Sequence, residues 1–103
     1  MNFTRISVAE AQELLKKQPD TQVIDVRDEV AYGQGHINHA RHVHNSNVEE
    51  FLAEADMGQP LIVYCYHGNM SQSAAAYFAE QGFASSYSLD GGFEAWQEAQ
   101  TEA

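Results

Sequence analysis

Four apolar residues in a row, Leu61-Ile62-Val63-Tyr64, break the polar alternation expected of a strand with one wet face. An extended chain points successive side chains to opposite sides, so a strand of this kind must be covered on both. It runs into Cys65, the single cysteine, and then the loop Tyr66-His67-Gly68-Asn69-Met70. A helix-forming stretch from Ser71 to about Gln81 follows at once, with Gly82 as a left-handed cap. Strand, tight turn and helix in direct succession constrain the fold to a sheet layered with helices.

The remaining chain carries the same alternation. Ser7-Val8-Ala9-Glu10 reads as a capping box opening a helix through about Lys17, with Val8, Ala11, Leu14 and Leu15 on one face. Thr21 to Val26 reads as a strand, and Asp28 caps a short helix through Gln34 that Gly35 ends. Ala40 to Val43 forms a short strand, and Asn45 or Ser46 starts a helix carrying Val48, Phe51 and Leu52 inward. Ser85 to Leu89 supplies another strand, Asp90-Gly91-Gly92 turns the chain, and Phe93 to about Ala99 forms a last helix anchored by Trp96, with a frayed tail from Gln100 to Ala103. The expectation is one α/β domain over residues 1–103 with a mainly parallel sheet. Reactive groups in such sheets lie beyond the carboxyl ends of the strands, where Cys65 falls.

Composition narrows the function. One cysteine excludes an internal disulfide and any multi-cysteine zinc site. A formal net charge of −10 argues against nucleic acid and against an anionic membrane surface. No apolar run approaches a membrane span and the N-terminus lacks a signal-peptide core, so the expected compartment is the cytoplasm. His39, His42 and His44 cluster without a fixed ligand spacing, and no metal is expected there. Gly91-Gly92 falls short of a phosphate-binding motif, and no cofactor is expected.

At the hinge after the strand, N–H groups of the turn and first helical turn converge on the sulfur and favour its thiolate. Cys65 is therefore the candidate nucleophile. The loop residues Tyr66, His67, Gly68, Asn69, Met70 and Ser71 are the candidate anion-binding set. Protonated His67 attracts an anion, or its side chain faces solvent. Asp25 and Arg27 leave the same strand end two residues apart and read as a partly buried ion pair bracing the loops. His36 reads as a hydrogen-bonding loop anchor, and Phe83, Tyr87, Phe93 and Trp96 as core or rim.

Asp25-Val26-Arg27, Gly35-His36-Ile37 with Ala40, Cys65 in its loop, and Leu89-Asp90-Gly91-Gly92 with Trp96 resemble, in order, the motifs of single-domain rhodaneses. The loop, and Asp90 through Trp96, are similar to the GlpE-type thiosulfate sulfurtransferases. The resemblance implies a rhodanese-like domain, a five-stranded parallel sheet flanked by helices on both faces. It also implies double displacement through a persulfide on Cys65, from a small anionic sulfur donor to a thiophilic acceptor such as cyanide, a thiol or a dithiol protein. The chain departs from the pattern in lacking the basic residues many relatives carry in or after the loop; Met70-Ser71-Gln72 stands where GlpE-like sequences often show Ser-Ser-Lys. A cysteine phosphatase needs an Arg six residues after its cysteine, and here that residue is Ser71. A sulfur-relay carrier or docking module would show the same sequence as the enzyme.

Overall fold

The computed structural model of the protein describes residues 3–101. Strands and helices alternate from end to end. They are β1 (Phe3–Ile6), α1 (Val8–Lys17), β2 (Gln22–Asp25), α2 (Glu29–Gln34), β3 (Arg41–His42), α3 (Val48–Glu54), β4 (Leu61–Tyr64), α4 (Met70–Gln81), β5 (Ser86–Leu89) and α5 (Gly92–Thr101). The five strands pair in parallel in the order β1-β5-β4-β2-β3, so the unalternated strand lies at the centre.

Both faces of β4 are covered, as its composition requires. Ile62 and Tyr64 enter one core with Ile6, Val23 and Leu89, roofed by Ala11, Leu14 and Leu15 of α1 and by Phe93 and Trp96 of α5. Leu61 and Val63 enter the other with Ile24, Phe51 of α3, Ala75 and Phe78 of α4, and Phe83. Chain winding reverses between β4 and β2, and a crevice opens there beyond the strands' carboxyl ends. The loop holding Cys65 leaves β4 at that crevice, and Asp25 to Asp28 leave β2 beside it.

Several boundaries differ from the expected ones. No signal in Phe3-Thr4-Arg5-Ile6 marks it as a strand; it becomes one by pairing with Ser86 to Leu89 at the sheet edge, with Thr4 and Arg5 left exposed. The third strand shrinks to Arg41–His42. Helix α3 starts at Val48 rather than after Asn45 or Ser46, because Asn47 turns back instead of capping: its Oδ1 accepts from His44 N at 2.8 Å and its Nδ2 donates to His42 O at 2.9 Å. Helix α5 continues through Thr101 where a frayed tail was expected from Gln100, the last two residues lying outside the described range. The capping box of α1 is present in both directions, Ser7 Oγ accepting from Glu10 N and Glu10 Oε1 from Ser7 N.

Asp25 and Arg27 form the buried brace at the crevice. Arg27 Nη2 donates to Asp25 Oδ2 at 2.7 Å and to the Gly35 carbonyl at 2.6 Å, and the guanidinium lies 4.3 Å over the Phe93 ring. Burial alone would pull the guanidinium pKa down, but the hydrogen bond and charge of Asp25 outweigh it and leave it raised. Replacing Arg27 by Met strands a carboxylate with no accessible surface, and should cost about 3–5 kcal/mol of a total of order 5–15 kcal/mol. Asp25→Asn combined with Arg27→Met removes both charges and should recover part of that loss. Urea unfolding of the three variants checks this; a double variant no more stable than Arg27→Met would show that the charge is not what costs.

Candidate active site

The sulfur lies at the floor of the loop. Cys65 is only 1% exposed, so it is deeper than a loop position suggested; residues 65–71 wrap around it. Gly68 N and Ser71 N donate to Sγ at 3.3 and 3.2 Å, and the Ser71 hydroxyl lies 3.5 Å away. Three loop carbonyls are held by neighbouring groups, which orients the peptide units that carry the Tyr66, His67 and Asn69 amides. Phe93 N and Glu94 N, in the first turn of α5, donate to the carbonyls of Cys65 and Tyr66 at 2.9 and 3.3 Å. Gln72 Nε2 donates to the Gly68 carbonyl at 2.9 Å.

Two glycines make this packing possible. Gly92 has φ +60°, and a Cβ there would sit 2.6 Å from the Cys65 and Tyr66 oxygens; Gly68 has φ +93°, and its Cβ would meet Gly91 N at 2.8 Å. The Asp90-Gly91-Gly92 turn is thus the bed on which the loop rests.

Burial is the largest influence on the Cys65 thiol and would raise its pKa. The Ser71 hydroxyl and the N–H groups of Ser71, Gly68 and His67 together outweigh it and hold the pKa below the ordinary value. No cationic side chain contributes. Arg27 is committed to Asp25, Arg5 pairs with Asp90, Arg41 with Glu50 and Glu54, and Lys16 and Lys17 end α1 at the far side of the sheet.

Of the candidate anion-binding set, Gly68 and Ser71 are buried against the sulfur and His67 contributes its amide. Asn69 and Met70 are exposed at the mouth, and Met70 is already the first residue of α4. The His67 side chain faces outward, with Nδ1 3.0 Å from Glu94 Oε2. The Tyr66 hydroxyl donates to Asp28 Oδ2 and accepts from Asp28 N at 3.2 Å, tying the loop to the cap of α2 across the crevice. That bond, then the amide of Ala31, lowers the Asp28 pKa, and the same carboxylate raises that of Tyr66.

The sequence did not disclose three partners: Asp28 as anchor of Tyr66, Gln72 as tie of the Gly68 carbonyl, and Ser88, whose Oγ lies 2.8 Å from that of Ser71. Only the S-x-S alternation in β5 hinted at the last. His42 Nε2 donates to the Arg27 carbonyl at 2.6 Å, and His36 Nδ1 to the Tyr32 carbonyl at 2.9 Å while its ring stacks on Tyr32. Among the described residues no three His, Cys, Asp or Glu side chains converge as a metal site. None of the described helices is long and apolar enough to cross a membrane.

Comparison with known proteins agrees with this geometry. The rhodanese-like domain family matches residues 7–99, and the chain belongs to that family. It is 53% identical over 95 residues to the thiosulfate sulfurtransferase GlpE of Pseudomonas paraeruginosa, covering 92% of this chain and 84% of that protein. The rhodanese-related protein of Thermoplasma volcanium superposes with a TM-score of 0.78 at 25% identity, over 94% of this chain and 93% of that one. A rhodanese-like domain from Anabaena gives 0.81 at 23% identity, over 96% and 76%, and shares the fold.

The lowered Cys65 pKa has a defined sign in experiment. Alkylation by neutral iodoacetamide should rise with pH to a half-maximum below the free-thiol value of about 8.5, then level off. Gly92→Ala should move that midpoint upward, since the added Cβ displaces the carbonyls that aim the loop. A wild-type midpoint at or above the free-thiol value would show that the amides do not serve the sulfur.

Proposed function

We propose that the chain is a thiosulfate sulfurtransferase working by double displacement through a persulfide on Cys65. The observation that carries the proposal is the ring of inward N–H groups on a sulfur that no side-chain cation touches. The Cys65 thiolate attacks the outer sulfur of thiosulfate. A bond forms between the two sulfurs, the bond to the sulfonate sulfur breaks, and sulfite leaves with its electron pair. The persulfide carries one negative charge on its outer sulfur, and the loop amides not spent on Sγ, those of Tyr66, Asn69 and Met70, are left to receive it. A thiophilic acceptor, cyanide or a thiol, then attacks the outer sulfur and returns Cys65 as thiolate. Charge is conserved in both steps and no proton need move.

A second reading is a carrier that receives its sulfur from a protein partner. It is favoured by an open groove of about 530 Å³, lined by Val26, Val43, Val48, Met70, Ala74 and Tyr77 among others, which touches the loop at Met70. Met70 and Tyr77 are exposed there. The apolar lining suits a protein acceptor, a dithiol protein included, better than a small anion. The net charge of −10 supports a protein that binds neither nucleic acid nor an anionic membrane surface.

Incubation with thiosulfate should add one sulfur atom to the intact protein by mass spectrometry, and cyanide should remove it as thiocyanate. Cys65→Ala and Cys65→Ser should fold and do neither. Sulfur loading from a persulfidated protein but not from thiosulfate would favour the carrier. Thiocyanate formation by folded Cys65→Ala would overturn both readings.

The net charge of −10 gives salt an unusual direction. The thiosulfate dianion approaches through a repulsive field, which salt screens as the Debye length falls from about 30 Å at 0.01 M to about 8 Å at 0.15 M. The Michaelis constant for thiosulfate should therefore fall, by roughly two- to five-fold, over that range, with kcat moving less. Steady-state assays with an inert salt decide this; a Michaelis constant that rises with salt would reveal a cation at the donor site.

A further inference from the structure

Behind the sulfur, on the side away from solvent, lies a short chain of hydroxyls. Ser88 Oγ is 2.8 Å from Ser71 Oγ, which is 3.5 Å from Cys65 Sγ, and Ser71 and Ser88 have no accessible surface. Ser86, on the same face of β5, spends its hydroxyl on helix backbone, donating to the Ala75 carbonyl at 2.8 Å. Ser88 differs. Among the described residues its hydroxyl has no hydrogen bond other than that to Ser71.

Counting protons along Ser88, Ser71 and Cys65 gives the chain a direction. Two links join three groups. With Cys65 as a thiol there are three protons for two links: S–H donates to Ser71, Ser71 to Ser88, and the Ser88 proton is left without an acceptor in a site closed to water. Once the thiol proton has left for solvent, two protons fill two links, Ser88 donating to Ser71 and Ser71 to the sulfur. A buried polar hydrogen without a partner is costly, and a hydroxyl that accepts a hydrogen bond donates more strongly.

We propose that Ser88 is a positioning residue, whose hydroxyl donates to Ser71 Oγ and so turns the Ser71 proton onto the anionic sulfur of Cys65. The proposal rests on the reading of Cys65 as a thiolate nucleophile, but its test uses no sulfur donor. Failure here would leave sulfur transfer itself standing. The charged and titratable groups around the loop are His67 with Glu94 of α5, Asp28 with Tyr66, Asp90 with Arg5, and the Asp25–Arg27 pair beside Tyr64; none is altered by substitution at position 88.

The experiment follows the pH midpoint of iodoacetamide alkylation in the full chain, with folding checked by circular dichroism. Ser88→Ala should raise the midpoint by about half to one pH unit, and Ser88→Thr should restore it. Ser86→Ala should leave it unchanged although a buried hydrogen bond is lost. Ser71→Ala should raise it at least as far, and Ser71→Ala with Ser88→Ala no further, because Ser88 acts through Ser71. A folded Ser88→Ala with the wild-type midpoint overturns the proposal, as does an undiminished shift in the Ser71→Ala background. If Ser88→Ala does not fold, the nearly isosteric Ser88→Thr and Ser88→Val carry the comparison, and equal midpoints in that pair overturn it.

Discussion

Two hydrogen bonds from the first turn of α5, to the carbonyl oxygens of Cys65 and Tyr66, decide which way the loop faces. A peptide unit carries its N–H and C=O in opposite directions, so fixing the Cys65 and Tyr66 carbonyls outward turns the Tyr66 and His67 amides inward, and His67 is one of the donors that lower the Cys65 pKa. Gly92 lets α5 approach closely enough, and Gln72 repeats the device at Gly68. Without the Ser71 hydroxyl and the amides of Ser71, Gly68 and His67, the sulfur would lie in a merely apolar hole. Burial would then raise its pKa, the opposite of what the structure shows.

The frame holding α5 against the loop is electrostatic as well as apolar. Arg27 pairs with Asp25, caps the Gly35 carbonyl and lies against the Phe93 ring, so one buried guanidinium joins β2, the end of α2 and the start of α5. Its Nε and Nη2 are spent on Asp25 and the Gly35 carbonyl. The conspicuous cation beside the crevice braces the scaffold, and the charge of the Cys65 thiolate is met by backbone dipoles and the Ser71 hydroxyl. In a chain carrying 15 acidic and 5 basic residues, the stabilisation of the sulfur thus draws on no Lys or Arg side chain.

Much of the fold was legible because its signals are local. The capping box at Ser7 and Glu10, the unalternated Leu61 to Tyr64 and the glycines closing α2 and α4 each depend on residues within a turn or two. What failed depended on distant partners. Phe3 to Ile6 has no strand pattern of its own and is extended only because β5 offers an edge more than 80 residues away. Asn47 looks like a cap and instead folds back onto His42 and His44.

The candidate site divides the same way. The sequence by itself determined that a lone thiol stands between a central strand and a helix, because strand, turn and helix periodicities are set over a few residues, and its motifs sufficed to indicate the family. It also determined that no Lys or Arg lies in the loop. Only the tertiary structure decided which donors reach the sulfur, that Gln72 turns back to the loop, and that Ser88 comes to lie behind Ser71. Those choices turn on ångström-scale distances between elements far apart in the chain, and the sheet order that sets them cannot be read from any one segment.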